Sequence, residues 1–390
     1  MSEYLRRGVS ATKDEVHQAL GRLDKGLFPR AFCKVLPDYL GGDPEWCSLT
    51  HADGAGSKSA LAYAYWRETG DLQVWRNLAI DAVVMNLDDL ICVGCTGPFL
   101  LSSAIGRHAR LIPGEVLSAI IGGTVDFIDQ MRHYGIEVIH GGGETADLGD
   151  LVRTIVIDAT MTARMRRSDV ITQERIQAGD VIVGLASFGQ TVYESEYNGG
   201  MGSNGLTSAR HDVFSHALAA AYPETFDPLM PQDLVYKGRM GLLDPVEGTT
   251  LNAGRLVLSP TRTYAPLLVP ILRERAFDIH GLVHCSGGGQ SKVLNFLGPV
   301  RVVKNNLFPV PPLFKLIAQF SGSSDEELYR VFNMGHRMEV FLAEAEAAPF
   351  MARAESLGIE ARCIGYVEDA KEPEVVLTTE SGNVVVYKKK

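Results

Sequence analysis

An acid and a lysine, Asp53 and Lys58, bracket two glycines, Gly54 and Gly56, in the segment "HADGAGSKSA" at residues 51–60. Carboxylate oxygens are hard ligands of the kind Mg²⁺ takes, and glycines let backbone N–H groups approach phosphate oxygens. A lysine adds a mobile positive charge that can reach a terminal phosphate. The segment is close to a phosphate-binding P-loop, which reads G-x-x-x-x-G-K-[ST]. Lys58 and Ser59 fit that pattern, but Ala52 and Ser57 stand where its two glycines belong. A surface turn with a local ion pair is the plain alternative.

Two more features have the same chemistry. Asp88 and Asp89 close an apolar helical pattern, and "GGGET", residues 141–145, ends a strand-like run. Together with the first loop they suggest an acid-rich site for Mg²⁺ and nucleotide, although a glycine cluster also reads as a turn and an acid pair as a solvated helix end. In "HCSGGGQ", residues 284–290, glycines directly before a predicted helix offer an anion site at its N-terminus, with His284 as a candidate proton shuttle. His280 and His284 have the spacing of a zinc pair but fall on a predicted strand with no third ligand, so they read as structural or substrate-contacting. "CVGC", residues 92–95, has zinc or redox spacing without a second pair and reads as structural.

The elements that must position these residues follow from periodicity. Residues 10–25 read as a helix, and a strand over 47–51 leads into the quoted loop. "SALAYAYWRETG" and "NLAIDAVVMNLDDLICVG" have helical spacing, with Ile80, Val83, Val84, Leu87 and Ile91 as an apolar stripe and Asp81 and Asp88 on another face. "PFLLSSAIG" reads as a strand, residues 113–135 as a long helix closed by glycine, "IEVIHGGGE" as a strand running into glycines, and "TIVIDATMTARM" as an alternating strand. The polar stretch 166–180 marks a domain junction near residue 172, dividing the chain into 1–172 and 173–390. Beyond it come the strand "VIVGLAS", a functional or mobile loop "YNGGMGSNGLTSAR", the loop-to-helix segment "LVLSPTRTYAPLLVPIL" and a strand after "YRVFNMGHRM". Strands and helices mix without a steady βαβ rhythm, which predicts layered α+β halves.

Bulk properties exclude several classes. The 390 residues are 46% hydrophobic and 22% charged, enough for a large core in two or three domains. A formal net charge of −10 with no basic run before Lys388 argues against a general affinity for nucleic acid. No apolar stretch is long enough for a bilayer, and the start lacks the core of a signal peptide, so the expected compartment is the cytoplasm. Six scattered cysteines fit reduced thiols.

The set "ADGAGSK", "IDAVVMNLDDL", "HGGGETAD", "GDVIVGLASFG", "SNG", "LSPTRTY", "HCSGGG" and "YRVFNMGHRM" resembles, in order along nearly the whole chain, the phosphoribosylformylglycinamidine cyclo-ligases, or aminoimidazole ribonucleotide synthetases. The resemblance implies a two-domain α+β fold whose N-terminal sheets pair into a barrel in a homodimer. It also implies ATP-dependent ring closure of formylglycinamidine ribonucleotide in purine biosynthesis, with Mg²⁺ and no nucleic-acid or membrane partner. Carried over by position, Asp53 and Asp89, with Asp88 beside them, resemble metal-binding acids. Gly54, Gly56, Ser57, Lys58, Gly143, Glu144 and Thr145 resemble the nucleotide site, Lys58 touching phosphate. Ser203, Asn204, Gly205, Thr261, Arg262, Ser286, Gly287 and Gly288 resemble the substrate side, with His284 moving a proton. Asn333 and Gly335 keep an F-N-x-G element.

The chain departs from that pattern at Asp88, where asparagine is usual, at Gly202, where a histidine precedes Ser-Asn-Gly, and in extra segments at 190–202 and 211–250. Two other readings follow from the residues: another ATP-using member of the superfamily, such as a small-molecule kinase or a selenophosphate synthetase, or a non-catalytic nucleotide-binding homologue.

Overall fold

The computed structural model describes residues 3–10, 19 and 23–389. Most of the helix expected over 10–25 lies outside the described residues. Strands β1 (Val35–Pro37), β2 (Trp46–Gly54), β3 (Phe99–Arg107), β4 (Val138–Asp147) and β5 (Ile155–Arg166) form one sheet in the order β1-β2-β5-β3-β4. Its pairs are antiparallel except β3 with β4. A second sheet joins β6 (Asp180–Ala186), β7 (Gly281–His284), β8 (Val300–Lys304), β9 (His336–Ala343), β10 (Ala361–Asp369), β11 (Glu374–Thr378) and β12 (Val384–Lys388), in the order β12-β11-β8-β10-β6-β9-β7. The helices are α1 (Glu3–Arg6), α2 (Lys58–Thr69), α3 (Gln73–Ile91), α4 (Gly114–His133), α5 (Leu206–Val213), α6 (His216–Ala221), α7 (Ala253–Val257), α8 (Ala265–Glu274), α9 (Pro312–Ser321), α10 (Asp325–Val331) and α11 (Glu344–Glu355). The layered α+β reading of the sequence holds.

Strand β5 shows the sheet's logic. Ile155, Ile157, Ala159, Met161, Ala163 and Met165 point into the core, while Val156, Asp158, Arg164 and Arg166 alternate outward, as a period of two requires on a half-buried sheet. Helix α3 packs on the covered face against β2 and β5, and also against α4 and α8. It is enclosed on every side, so the stripe Ile80, Val83, Val84, Leu87 and Ile91 is one face of a helix whose acidic face is buried too. Asp81, Asp88 and Asp89 are all buried.

The three glycines of "GGGET" lie within β4 rather than beyond its end. Leu101 pairs with His140 and Ser103 with Gly143, so Gly141 and Gly142 bulge opposite a single residue of β3. Gly142 has φ +105°, and a Cβ on Gly143 would stand 2.3 Å from the Ser103 carbonyl oxygen. After β7 the chain forms a 3₁₀ helix, Gly289–Asn295, where an α-helix was predicted.

His211, on α5, is fully buried and its Nδ1 accepts a hydrogen bond from the Tyr236 backbone N–H at 3.1 Å. Burial, with Arg210 and Arg7 nearby, pushes its pKa from 6.5 down to about 2. Below pH 6.5 the unfolded chain therefore takes up a proton that the folded chain refuses, and stability falls as pH falls. The group's contribution is about 1.4 kcal/mol per pH unit. Denaturant unfolding between pH 4 and 6 is expected to show that extra slope in the parent and not in His211→Gln; equal slopes would refute it.

Candidate functional site

The quoted loop is the turn from β2 into α2. Gly56 has φ +58°, Ser57 caps α2, and Ser57 Oγ lies 2.8 Å from Thr207 Oγ1 of α5, so the loop touches the second half of the chain. Asp53 is exposed. Asp158 of β5 lies across from Gly54, close enough that a Cβ there would stand 1.9 Å from its Oδ1. Burial and the Asp53 charge both raise the Asp158 pKa. Asp53 itself stands opposite Ala159, one residue out of step with Asp158, and Asp158 went unnoticed in the sequence because it reads as one more outward residue of an alternating strand. Gly143, Glu144, Thr145, His140, Ser103 and Asp158 line one part of a cavity of 130 Å³ whose other walls are apolar side chains of α3, α4 and the inward residues Ile157 and Ala159. Glu144 Oε1 accepts from the Thr145 N–H at 3.0 Å.

Lys58 does not face this cavity. It begins α2 and turns inward, wholly buried, donating to Asp81 Oδ1 at 2.9 Å and to the Ser259 carbonyl at 2.5 Å. Burial lowers its pKa, and Asp81 opposes that shift. The helical phase of α2 decides the matter: the first residue after the Ser57 cap points at α3. Thr261 is engaged by the same acid, since both its N–H and its hydroxyl donate to Asp81 Oδ1. Arg262 is likewise internal. Its guanidinium forms a two-pronged pair with Glu194 at 3.0 and 2.6 Å and donates to the Ala186 and Phe188 carbonyls at 3.0 and 2.6 Å.

Asp88 is also turned away from any open surface. Thr263 Oγ1 donates to it at 2.6 Å and the Tyr264 N–H at 3.1 Å, and burial raises its pKa. Asp89 points the other way. Its Oδ1 accepts from His284 Nδ1 at 2.6 Å, and its Oδ2 lies 3.3 Å from His51 Nε2. Burial pushes the Asp89 pKa up, but the His284 hydrogen bond and the charges of His284, His51 and Lys292 outweigh it and hold the group below its ordinary value. His284 Nε2 accepts from Arg337 Nε at 3.1 Å, so its ring carries the proton on Nδ1 and its lone pair is covered. That arrangement does not suit a freely exchanging proton shuttle.

The remaining predicted residues gather near this network. Ser203, Asn204 and Gly205 lead into α5, where Gly205 has φ +76° and the Phe332 ring would lie 2.4 Å from a Cβ. Asn204 Nδ2 would lie 3.4 Å from a Cβ on Gly287, which brings the two loops together. Ser286 is buried and Gly288 has φ +98°. At Gly202 a Cβ would stand 2.7 Å from Arg337 Nη1, so Arg337 occupies the space a side chain there would need. Neither Arg337 Nη1 nor Ser203 Oγ has a hydrogen-bond partner among the described residues. Arg337 was missed because a lone arginine beside "FNMGH" carries no spacing signal.

The extra segment at 190–202 is anchored rather than mobile. Asn198 donates to Glu194 and to the Pro260 carbonyl, Arg255 pairs with Glu196 at 2.7 Å, and Tyr193 donates to the Thr263 carbonyl. It walls a cavity of 420 Å³ whose opposite side is Gln73, Asn77 and Gln130. Asn333 Oδ1 accepts from Ser187 Oγ and the Gly335 N–H, a structural role, and His280 pairs with Asp180 at 2.8 Å. Cys92 and Cys95 are buried. Among the described residues no helix is long and apolar enough to cross a membrane.

Residues 34–165 match the N-terminal domain of the AIR synthase related proteins and residues 177–378 match their C-terminal domain, so the chain belongs to that family. Among curated relatives, the phosphoribosylformylglycinamidine cyclo-ligase of Methanocaldococcus jannaschii is 28% identical over 321 residues, covering 82% of this chain and 78% of that one. The fold is similar to that in the HypE-HypF complex (TM-score 0.55, 15% identity, covering 98% of this chain and 100% of that one). It is also similar to T. maritima PurL complexed with ADP (TM-score 0.52, 13% identity, covering 97% of this chain and 48% of that one).

Lys58→Ala tests where the lysine points. Removing it leaves Asp81 buried without its counter-charge, so chemical denaturation should show a loss of about 3–5 kcal/mol. Unchanged stability would return Lys58 to an exposed phosphate-binding position.

Proposed function

We propose that the protein catalyses ATP-dependent ring closure of formylglycinamidine ribonucleotide to 5-aminoimidazole ribonucleotide, with release of ADP and phosphate. Residues 1–172 take the Mg²⁺-nucleotide and residues 173–390 the substrate. The observation that carries the reading is the cavity that Glu144 and Asp158 line at β4 and β5, in a chain that matches both family domains and has a cyclo-ligase relative aligned over 82% of this chain and 78% of that one. When bound, ATP would supply the phosphoryl group that turns the formyl amide oxygen into a leaving group, and Mg²⁺ would neutralise charge on it.

The chain's own residues divide the work. Asp158 and Glu144, which line the cavity, and Asp53 at the end of β2 hold the cation through carboxylate oxygens, and the β4 bulge presents Glu144 and Thr145 to the nucleotide. Lys58 and Arg262 are positioning residues: the first fixes the loop to α3, the second fixes 259–264 to the 190–202 segment. Ser203, Asn204 and Gly287 face the substrate, and His284, held by Asp89 and Arg337, orients it. A proton can pass through His284 Nε2 once the Arg337 contact opens.

A cavity of 130 Å³ is too small to enclose a nucleotide, since small-molecule sites span about 300–1,000 Å³. Leu100, Ile139 and Val156 are exposed on the same sheet, with relative exposures of 50%, 43% and 42%. We infer that a second copy covers this face and completes the site, as a homodimer.

Asp53→Asn and Asp158→Asn should each lower Mg²⁺-dependent turnover about 100-fold or more while the fold is retained, measured by coupled ADP release and by circular dichroism. Turnover at the parental rate in both would refute the metal assignment. The product test follows ADP and the aromatic amine together, with thiamine monophosphate and selenide in separate reactions. Matched amine and ADP support ring closure, whereas ADP formed with another acceptor overturns it. Ile139→Asp should convert a dimer to monomer in sedimentation and abolish turnover; an active monomer would exclude the shared site.

A further inference from the structure

We propose that Cys33, His51 and Asp89 form a binding site for a borderline-soft divalent cation of the zinc class, separate from the carboxylate site for Mg²⁺. A thiol sulfur, an imidazole nitrogen and a carboxylate oxygen from these residues all lie within 4.8 Å of one another. The ligand atoms of a tetrahedral zinc stand roughly 3.3–3.8 Å apart, so the three donors need only a small inward shift.

The hydrogen bonds around the cluster orient its donor atoms. Asn86 Nδ2 donates to the carbonyls of Ala82 at 2.8 Å and of Asp53 and Ala159 at 3.2 Å, which turns Asn86 Oδ1 toward His51. His51 Nδ1 must therefore donate to that oxygen, at 2.9 Å. Its Nε2 then faces Asp89 Oδ2, 3.3 Å away, while the other Asp89 oxygen accepts from His284. An imidazole nitrogen and a carboxylate oxygen so placed can share one cation. Cys33 brings a third donor from the connection before β1, its thiol now donating to the Asp89 carbonyl at 3.2 Å. The supporting bonds also suit a metal centre: a ligating histidine gives its other N–H to an acceptor, and a ligating carboxylate is itself hydrogen-bonded.

Access comes from the His51 side, where 23% of the side chain is exposed against 8% for Asp89. Water can enter there as a fourth ligand. On binding, the Cys33 S–H bond breaks, the S–metal bond forms, and the proton leaves to solvent. Thiolate and imidazole are not Mg²⁺ ligands, so this site selects a different class of ion from Asp53 and Asp158. A second cluster, Cys285, His336 and Glu339, has similar spacing, but the Lys304 ammonium already lies against Glu339 and all three residues are buried.

The test is titration of the chelator-treated, full-length protein with Co²⁺. One equivalent should bind and give a thiolate-to-metal charge-transfer band in the near ultraviolet, displaced by Zn²⁺ and not by Mg²⁺. Cys33→Ser should abolish the band, His51→Asn should weaken binding at least about tenfold, and Cys285→Ser should leave both unchanged. Circular dichroism of each variant separates loss of the site from loss of the fold. No saturable Co²⁺ binding by the parent, or a band that survives Cys33→Ser, would overturn the proposal. Neither outcome depends on ATP turnover, so the two readings fail separately.

Discussion

Three carboxylates on one enclosed helix dictate how the two halves of this protein meet. An isolated ionised group is too costly to bury, so each acid of α3 must receive donors. Asp81 receives Lys58 and Thr261, Asp88 receives Thr263 and Tyr264, and Asp89 receives His284. All but Lys58 come from the second half of the chain. The segment 259–264 is held against α3 by these bonds, and Arg262 then carries the constraint on to Glu194 and the 190–202 segment. Replacing one acid would leave several buried donors without acceptors, which is more costly than the bond itself.

The same constraint sorts the chemistry of the site. Carboxylates that find neutral or cationic donors inside are closed to a metal ion, as Asp81 and Asp88 are. Asp158 and Glu144 line a cavity at β4 and β5, and Asp53 is exposed at the end of β2. Asp89 stands between the two environments. Its inner oxygen is taken by His284 and its outer one faces His51, beside the Cys33 thiol. One helix therefore presents acids of two kinds, distinguished by which element covers each.

The glycines act through geometry more than through phosphate contact. In β4 they make a bulge that redirects Glu144 and Thr145 without ending the strand. At Gly202 the missing side chain makes room for Arg337, whose guanidinium reaches His284. The space beside Gly202, where the family pattern has a histidine, is taken by a cationic group from β9.

By itself the sequence determined the layered α+β class, most of the strands, the long helix bearing the acids, and the family to which the chain belongs. These are legible because alternation, helical spacing and glycine-bounded motifs are local, and each depends on neighbours within a few residues. Which way Lys58, Asp88, Thr261 and Arg262 point was decided by tertiary structure, as were the placing of Asp158 against Gly54 and the meeting of Cys33 with His51 and Asp89. A loop sequence shows that an acid and a lysine are available, but not which of them the packing of a distant segment will enclose. The physical reason is that a charged side chain goes where its partners are, and here the partners lie one or two hundred residues away along the chain.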